Sequence, residues 1–306
     1  MSTLTPVPLY FILCPAYHGA STLAWRLNLH PNILSLGSGN PLRREDAPVS
    51  DGSTVSTSPF WKEVIEELET KDEDPIETLL PQAPFIASNS KLNTWLNSLV
   101  AMLANETSPK AWKLVFEQAN RFISMHDKFL NAIRERVPHK ALVDAERSNL
   151  KFMVMASSGF PVKGVIHLVR DPRGYVAACK KYYPESTVEN LTLEWAAAHT
   201  RIYRLATSFG KMPFMTLRYE DLMEKPQETY ENAASFLGFR EHITLEGPPG
   251  IGKNNLLGIT AQDRSLEPVQ NARNWAETLS PEEEARILHV AGPLFSEFGY
   301  KSENMP

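Results

Sequence analysis

Pro8–Cys14 (PLYFILC) is a nearly continuous apolar run that feeds into Pro15-Ala16-Tyr17-His18-Gly19-Ala20 and then a helix-compatible stretch, Ser21–Leu29, stopped by His30-Pro31. A short apolar run without alternation is the pattern of a strand buried on both faces, as in a parallel sheet covered by helices. Similar runs recur at Lys140–Asp144, Gly164–Val169 and Pro213–Leu217, followed by helical patterns at Asn149–Ser157, Arg173–Tyr183 and Pro226–Leu237. The alternation predicts an α/β protein with a central parallel sheet flanked by helices. A longer helix is expected over Val188–Phe209, with Trp195, His199, Ile202 and Leu205 at helical spacing. Ser280-Pro281-Glu282-Glu283 opens a C-terminal helix with a capping box and a first-turn proline.

Between Gly37 and Val137 the sheet pattern stops. Turn-rich sequence at Pro48–Pro59 gives way to helical segments at Phe60–Glu69, Leu92–Leu103 and Trp112–Arg136. A structureless connection of that length would be unusual, so residues 37–137 are expected to form a helical insertion within a single domain of residues 1–306. The insertion is expected to cover an acceptor site. Its aromatics Trp61, Trp95, Trp112 and Phe116 either line that site or pack as core, and its acidic run Glu63–Glu77 reads as a solvated face.

A strand, a tight turn of small residues and then a helix brings backbone N–H groups and a helix N-terminus against a phosphate. In Gly19-Ala20-Ser21-Thr22 the backbone can approach closely and two hydroxyls can donate. The plain alternative is an ordinary turn capped by Ser21. No Lys precedes Ser21 or Thr22, so the G-x-x-x-x-G-K-[ST] signature of ATP and GTP sites is absent. A net charge of −5 argues against a broadly basic nucleic-acid binder and leaves room for a local basic pocket. Cys14 and Cys179 are the two cysteines and show neither a disulfide framework nor metal-ligand spacing, which suits a cytoplasmic location. The longest apolar run is too short to span a bilayer, so no membrane span is expected.

His18-Gly19-Ala20-Ser21-Thr22-Leu23, followed by Leu27 and His30-Pro31, resembles the phosphosulfate-binding loop of sulfotransferases that use 3′-phosphoadenosine 5′-phosphosulfate. Four further stretches are similar to that family in its order: Val143–Arg147 (VDAER), Ile166–Arg173 (IHLVRDPR), Leu217–Leu222 (LRYEDL) and Arg273-Asn274-Trp275 with Leu279–Glu283. The resemblance implies a nucleotide-binding, P-loop-like turn and transfer of a sulfuryl group to a hydroxyl or amine acceptor, without a metal. The acceptor could be a small molecule, a carbohydrate or a peptide.

The resemblance also implies roles. Gly19, Ala20, Ser21 and Thr22 would clamp the 5′-phosphosulfate, and His18 stands where the family carries Lys or Arg as donor to the leaving oxygen. Arg170 would grip the 3′-phosphate, Tyr219 would contact the adenine, and Arg273 would add a basic contact, with Lys253 and Arg264 as other candidates. Ala178 stands where the family usually has a Ser, so one 3′-phosphate contact is missing or replaced. For the base, Glu146 and Asp144 sit at a strand end; if strand geometry persists both point to one face, with Glu146 as base and Asp144 as its orienting partner. Arg147 could instead tie the pair into a structural salt bridge. Two other classes stay open: a P-loop small-molecule kinase, and a non-catalytic nucleotide-binding member of the same fold.

Overall fold

Leu9, Phe11 and Leu13 pack into one buried apolar cluster while Ile12 and Cys14 pack into another. Both faces of this strand are therefore covered, as its unbroken apolar sequence requires. The computed structural model describes residues 7–35, 49, 53–71, 123–124, 126–145, 147–157, 159–210, 212–245 and 273–301. Among them a five-stranded sheet runs in the order β2-β3-β1-β4-β5. Its strands are β1 (Leu9–Leu13), β2 (Ile33–Ser35), β3 (Ala141–Asp144), β4 (Val162–Val169) and β5 (Phe214–Arg218). Every pairing is parallel.

Helices with fully described bounds include α1 (Ala20–Leu27), α2 (Pro59–Lys71), α3 (Asn149–Ser157), α4 (Pro172–Lys180), α5 (Val188–Ser208), α6 (Tyr219–Glu224), α7 (Pro226–Phe236) and α8 (Pro281–Glu297), and residues 126–136 are helical as well. β1 lies between β3 and β4, and the chain crosses from one side of it to the other after β3. In open sheets such a reversal leaves a crevice at the strand C-termini, and the loop after β1 stands there. β2 was not expected from the sequence. It has only three residues and pairs with β3 at the sheet edge.

α8 starts as expected: Ser280 Oγ accepts from the Glu283 amide at 3.2 Å, and Glu283 accepts from the Ser280 amide at 3.0 Å. It kinks at Gly292, just before Pro293. The start of the insertion packs into the core, since Trp61 on α2 is fully buried against Phe129, with ring centroids 6.2 Å apart. Trp61 is thus core, whereas Trp95, Trp112 and Phe116 lie outside the described residues. The acidic face of α2 is partly tied down by Arg136, which pairs with Glu63 and Glu67. No helix among the described residues is long and apolar enough to cross a membrane.

Candidate functional site

The turn after β1 is held in an uncommon backbone shape. Tyr17 has φ 63° and Gly19 has φ 81°, so left-handed residues stand on both sides of His18. For Tyr17 that conformation costs about 1–2 kcal/mol. Arg170 compensates: its Nη1 donates to the Tyr17 carbonyl at 2.6 Å, and a hydrogen bond from a charged group contributes about 1.5–3 kcal/mol. Gly19 is the N-cap of α1 and has no side chain to cap it. Ser21 therefore sits inside the first turn rather than at the cap. The first-turn amides of Ala20, Ser21 and Thr22 have no helix carbonyl to bond, which is the property an anion uses.

Gly19 also leaves space for Tyr219. A Cβ at Gly19 would stand 2.9 Å from Tyr219 Cδ2. Gly19→Ala is expected to lower stability by about 1–2 kcal/mol from backbone strain, plus the cost of displacing the ring. Gly159→Ala is the control, because Gly159 has φ 79° with nothing within 4 Å of its would-be Cβ. Urea unfolding should show the larger loss for Gly19→Ala; equal losses would mean that the Tyr219 contact is unimportant.

Arg170 follows β4, and Tyr219 follows β5. The Arg170 guanidinium lies 4.2 Å from the Tyr219 ring centroid. It also crosses Gly174 on α4, where a Cβ would come within 3.1 Å of Arg170 Nε. That Nε is buried and has no hydrogen-bond partner among the described residues. Trp195 on α5 fixes the backbone here by donating to the Arg170 carbonyl at 3.0 Å. The neighbouring Arg173 is structural. It is fully buried, bonds the Asp171 cap of α4 at 2.7 Å and lies over Trp275.

His18 is in the loop as expected, but it is not a charged group aimed outward. Its ring is 1% exposed. Nδ1 bonds the Ala16 carbonyl at 2.7 Å, and Nε2 bonds His199 Nε2 at 3.1 Å. Burial pushes its pKa down to about 3, helped by the charges of Arg170 and Arg147. A neutral ring with both nitrogens engaged has none left for a leaving oxygen. As arranged here, His18 turns both ring nitrogens to partners within the protein.

Of the two carboxylates, Asp144 falls within the described residues. Asp144 is buried and pairs with Lys151 at 2.6 Å, a partner on α3 that the sequence did not suggest. It is level with Phe11, two residues short of the end of β1. β3 stops at Asp144, and Arg147, the next described residue after Ala145, has φ 63°. Glu146 itself lies outside the described residues.

Arg147, a salt-bridge candidate in the sequence, carries a charge that acts on both Cys14 and His18 at the loop. Its buried Nε has no hydrogen-bond partner among the described residues. In the sequence it closes the Val143–Arg147 stretch, with no signal that sets it apart from its neighbours as a site residue. Arg273 joins the set less directly: it pairs with Glu224 on α6 at 3.2 Å, both groups about one-third exposed. Lys253 and Arg264 lie outside the described residues. Lys180, beside Ala178, bonds Glu283 at 2.8 Å. Among the described residues no group of three His, Cys, Asp or Glu is arranged to hold a metal ion.

The rim thus joins a loop with first-turn amides, two guanidinium groups whose buried Nε–H groups have no partner among the described residues, and an aromatic ring. This donor set fits a ligand with more than one anionic group. The model of the sulfotransferase family matches residues 65–242, a span that includes Arg170 and Tyr219 but not the loop after β1. No curated protein matches the sequence. Among solved structures the chain is similar to the sulfotransferase domain of the Synechococcus PCC 7002 olefin synthase, at 16% identity and a TM-score of 0.52, covering 100% of this chain and 98% of that one. It is also similar to the sulfotransferase STF9 from Mycobacterium avium, at 12% identity and a TM-score of 0.50, covering 99% of this chain and 80% of that one. At these identities the likeness is one of fold.

Proposed function

The chain belongs to the sulfotransferase family, and from that membership we propose that it transfers a sulfuryl group from 3′-phosphoadenosine 5′-phosphosulfate to a hydroxyl or amine acceptor. The observation that carries this reading is Arg170: a guanidinium bonded to the loop, laid on Tyr219, with a buried Nε–H left over. Bound, the donor would supply an activated S–O bond whose oxygen leaves with the 5′-phosphate as the acceptor attacks sulfur.

The chain's own residues bind and align. The amides of Gly19–Thr22 and the hydroxyls of Ser21 and Thr22 take the 5′ end, and Arg170 takes the 3′-phosphate. Tyr219 contacts the adenine, and Arg273 adds positive charge nearby. Arg147 supplies charge on the loop side, so the stabilisation of the leaving oxygen rests on guanidinium groups and amides rather than on His18. With Asp144 bound to Lys151, the base role falls to Glu146.

Glu146→Gln is expected to lower turnover about 10²–10⁴-fold with a poorly acidic alcohol acceptor, while affinity for adenosine 3′,5′-bisphosphate stays the same. Unchanged turnover would remove Glu146 from proton transfer. A non-catalytic, nucleotide-binding member of the same fold is the second reading, favoured by the engaged ring of His18. One experiment separates the two. Purified protein is given sulfur-labelled donor and a cell extract, and labelled small molecules, carbohydrates and peptides are sought. Labelled product supports transfer; donor binding without product supports the second reading.

A further inference from the structure

Two buried imidazoles take no part in the chemistry above. His199 on α5 and His167 on β4 stand in line behind His18. His199 Nε2 is 3.1 Å from His18 Nε2, and His199 Nδ1 is 2.8 Å from His167 Nε2. All three rings are essentially buried.

The protons on this line are fixed from one end. The Ala16 carbonyl can only accept, so His18 Nδ1 must carry its proton. A neutral His18 then has a bare Nε2, and His199 Nε2 must donate to it. That leaves His199 Nδ1 bare, so His167 Nε2 donates in turn. The last nitrogen, His167 Nδ1, is then a lone pair, and of the nitrogens of these three rings it is the one buried without a hydrogen-bond partner among the described residues. Its ring is packed beside Phe214 and Phe298, with centroids 5.6 and 5.5 Å away. Burial lowers the pKa of all three rings and so favours the neutral forms on which this direction depends.

Two other uses fail. The rings bond one another in series rather than converging on a point, so they do not make a metal site. A proton wire needs an exit, and this line ends in a carbonyl at one end and aromatic core at the other. What it does reach is the loop. His18 stands between two residues of positive φ, and α1 has no side-chain cap.

We propose that His199 is a positioning residue for the donor loop. Its Nε2–H grips His18 and thereby holds the amides of Gly19–Thr22 in place, while His167 fixes the tautomer that lets His199 donate. The inference rests on the donor-binding reading above.

Calorimetry on the full chain tests it with two nucleotides, adenosine 3′,5′-bisphosphate and adenosine 3′-phosphate, the second lacking the group the loop would hold. His199→Phe keeps a ring and removes the donor; His199→Gln restores an N–H. His199→Phe is expected to lose about tenfold in affinity for the bisphosphate, the effect of one buried hydrogen bond. Its affinity for the 3′-phosphate should stay, and His199→Gln should recover most of the loss. Undiminished bisphosphate binding in His199→Phe overturns the proposal, and so does an equal loss for both nucleotides. If the unaltered protein binds neither nucleotide, it is the donor-binding reading that falls. Should His199→Phe not fold, NMR of the imidazole nitrogens in the unaltered protein at neutral pH decides the matter. Nδ1–H for His18 with Nε2–H for His199 and His167 supports the line; any other assignment overturns it.

Discussion

Arg170→Ala is expected to weaken binding of adenosine 3′,5′-bisphosphate by about ten- to a hundredfold, the range for losing a hydrogen bond from a charged group. Two losses combine in this variant. Under the proposed role the 3′-phosphate loses its guanidinium, and the Tyr17 carbonyl loses the bond that offsets a left-handed residue. Affinity for adenosine 5′-phosphate should fall less, because only the second loss touches it. Arg170→Lys keeps the charge but not the planar fork, so it should recover part of the affinity. Equal losses for the two nucleotides would take Arg170 out of the 3′ clamp.

The second large effect is on stability in acid. His18 and His167 have pKa values pushed down to about 3 by burial, and His199 is well below its ordinary value for the same reason. In the unfolded chain each imidazole binds a proton near pH 6.5. Lowering the pH below that value therefore favours the unfolded state, whereas above it these groups cost nothing. Each ring removes about 1.4 kcal/mol by one pH unit below its unfolded pKa, so the three together remove about 4 kcal/mol near pH 5.5. Against a total stability of about 5–15 kcal/mol this is a large fraction. Urea midpoints should fall steeply from neutral pH to about 5.5. A midpoint that holds steady there, and drops only in the carboxylate range below about pH 4, would contradict the neutral histidine line.

Strands and helices buried on both faces were legible because their composition leaves few alternatives. PLYFILC, KALVD and GVIHLV each became a parallel strand, and Asn149–Ser157 became α3 with the expected bounds. β2 was missed because three residues, Ile33–Ser35, carry no readable period. Arg170 was reached through the likeness of Ile166–Arg173 to the family, and Asp171-Pro172 after it, which starts α4, leaves it at the strand end. His199 could not be found as a partner of His18. Its spacing with Trp195 and Ile202 placed it correctly on a buried helix face, but a contact across 181 residues leaves no local trace. Lys151 was missed as the partner of Asp144 for a related reason. Its reach depends on how α3 packs back on β3, whereas sequence reasoning looked to the nearer Arg147.

On the proposed function, the rim of β1, β4 and β5 binds the phosphosulfate nucleotide. Titration calorimetry with its product, adenosine 3′,5′-bisphosphate, in buffer containing a chelator tests this most directly. Saturable binding is expected without Mg²⁺, and ATP under the same conditions should give none. Failure of the bisphosphate to bind, or binding of ATP that requires Mg²⁺, would contradict the account.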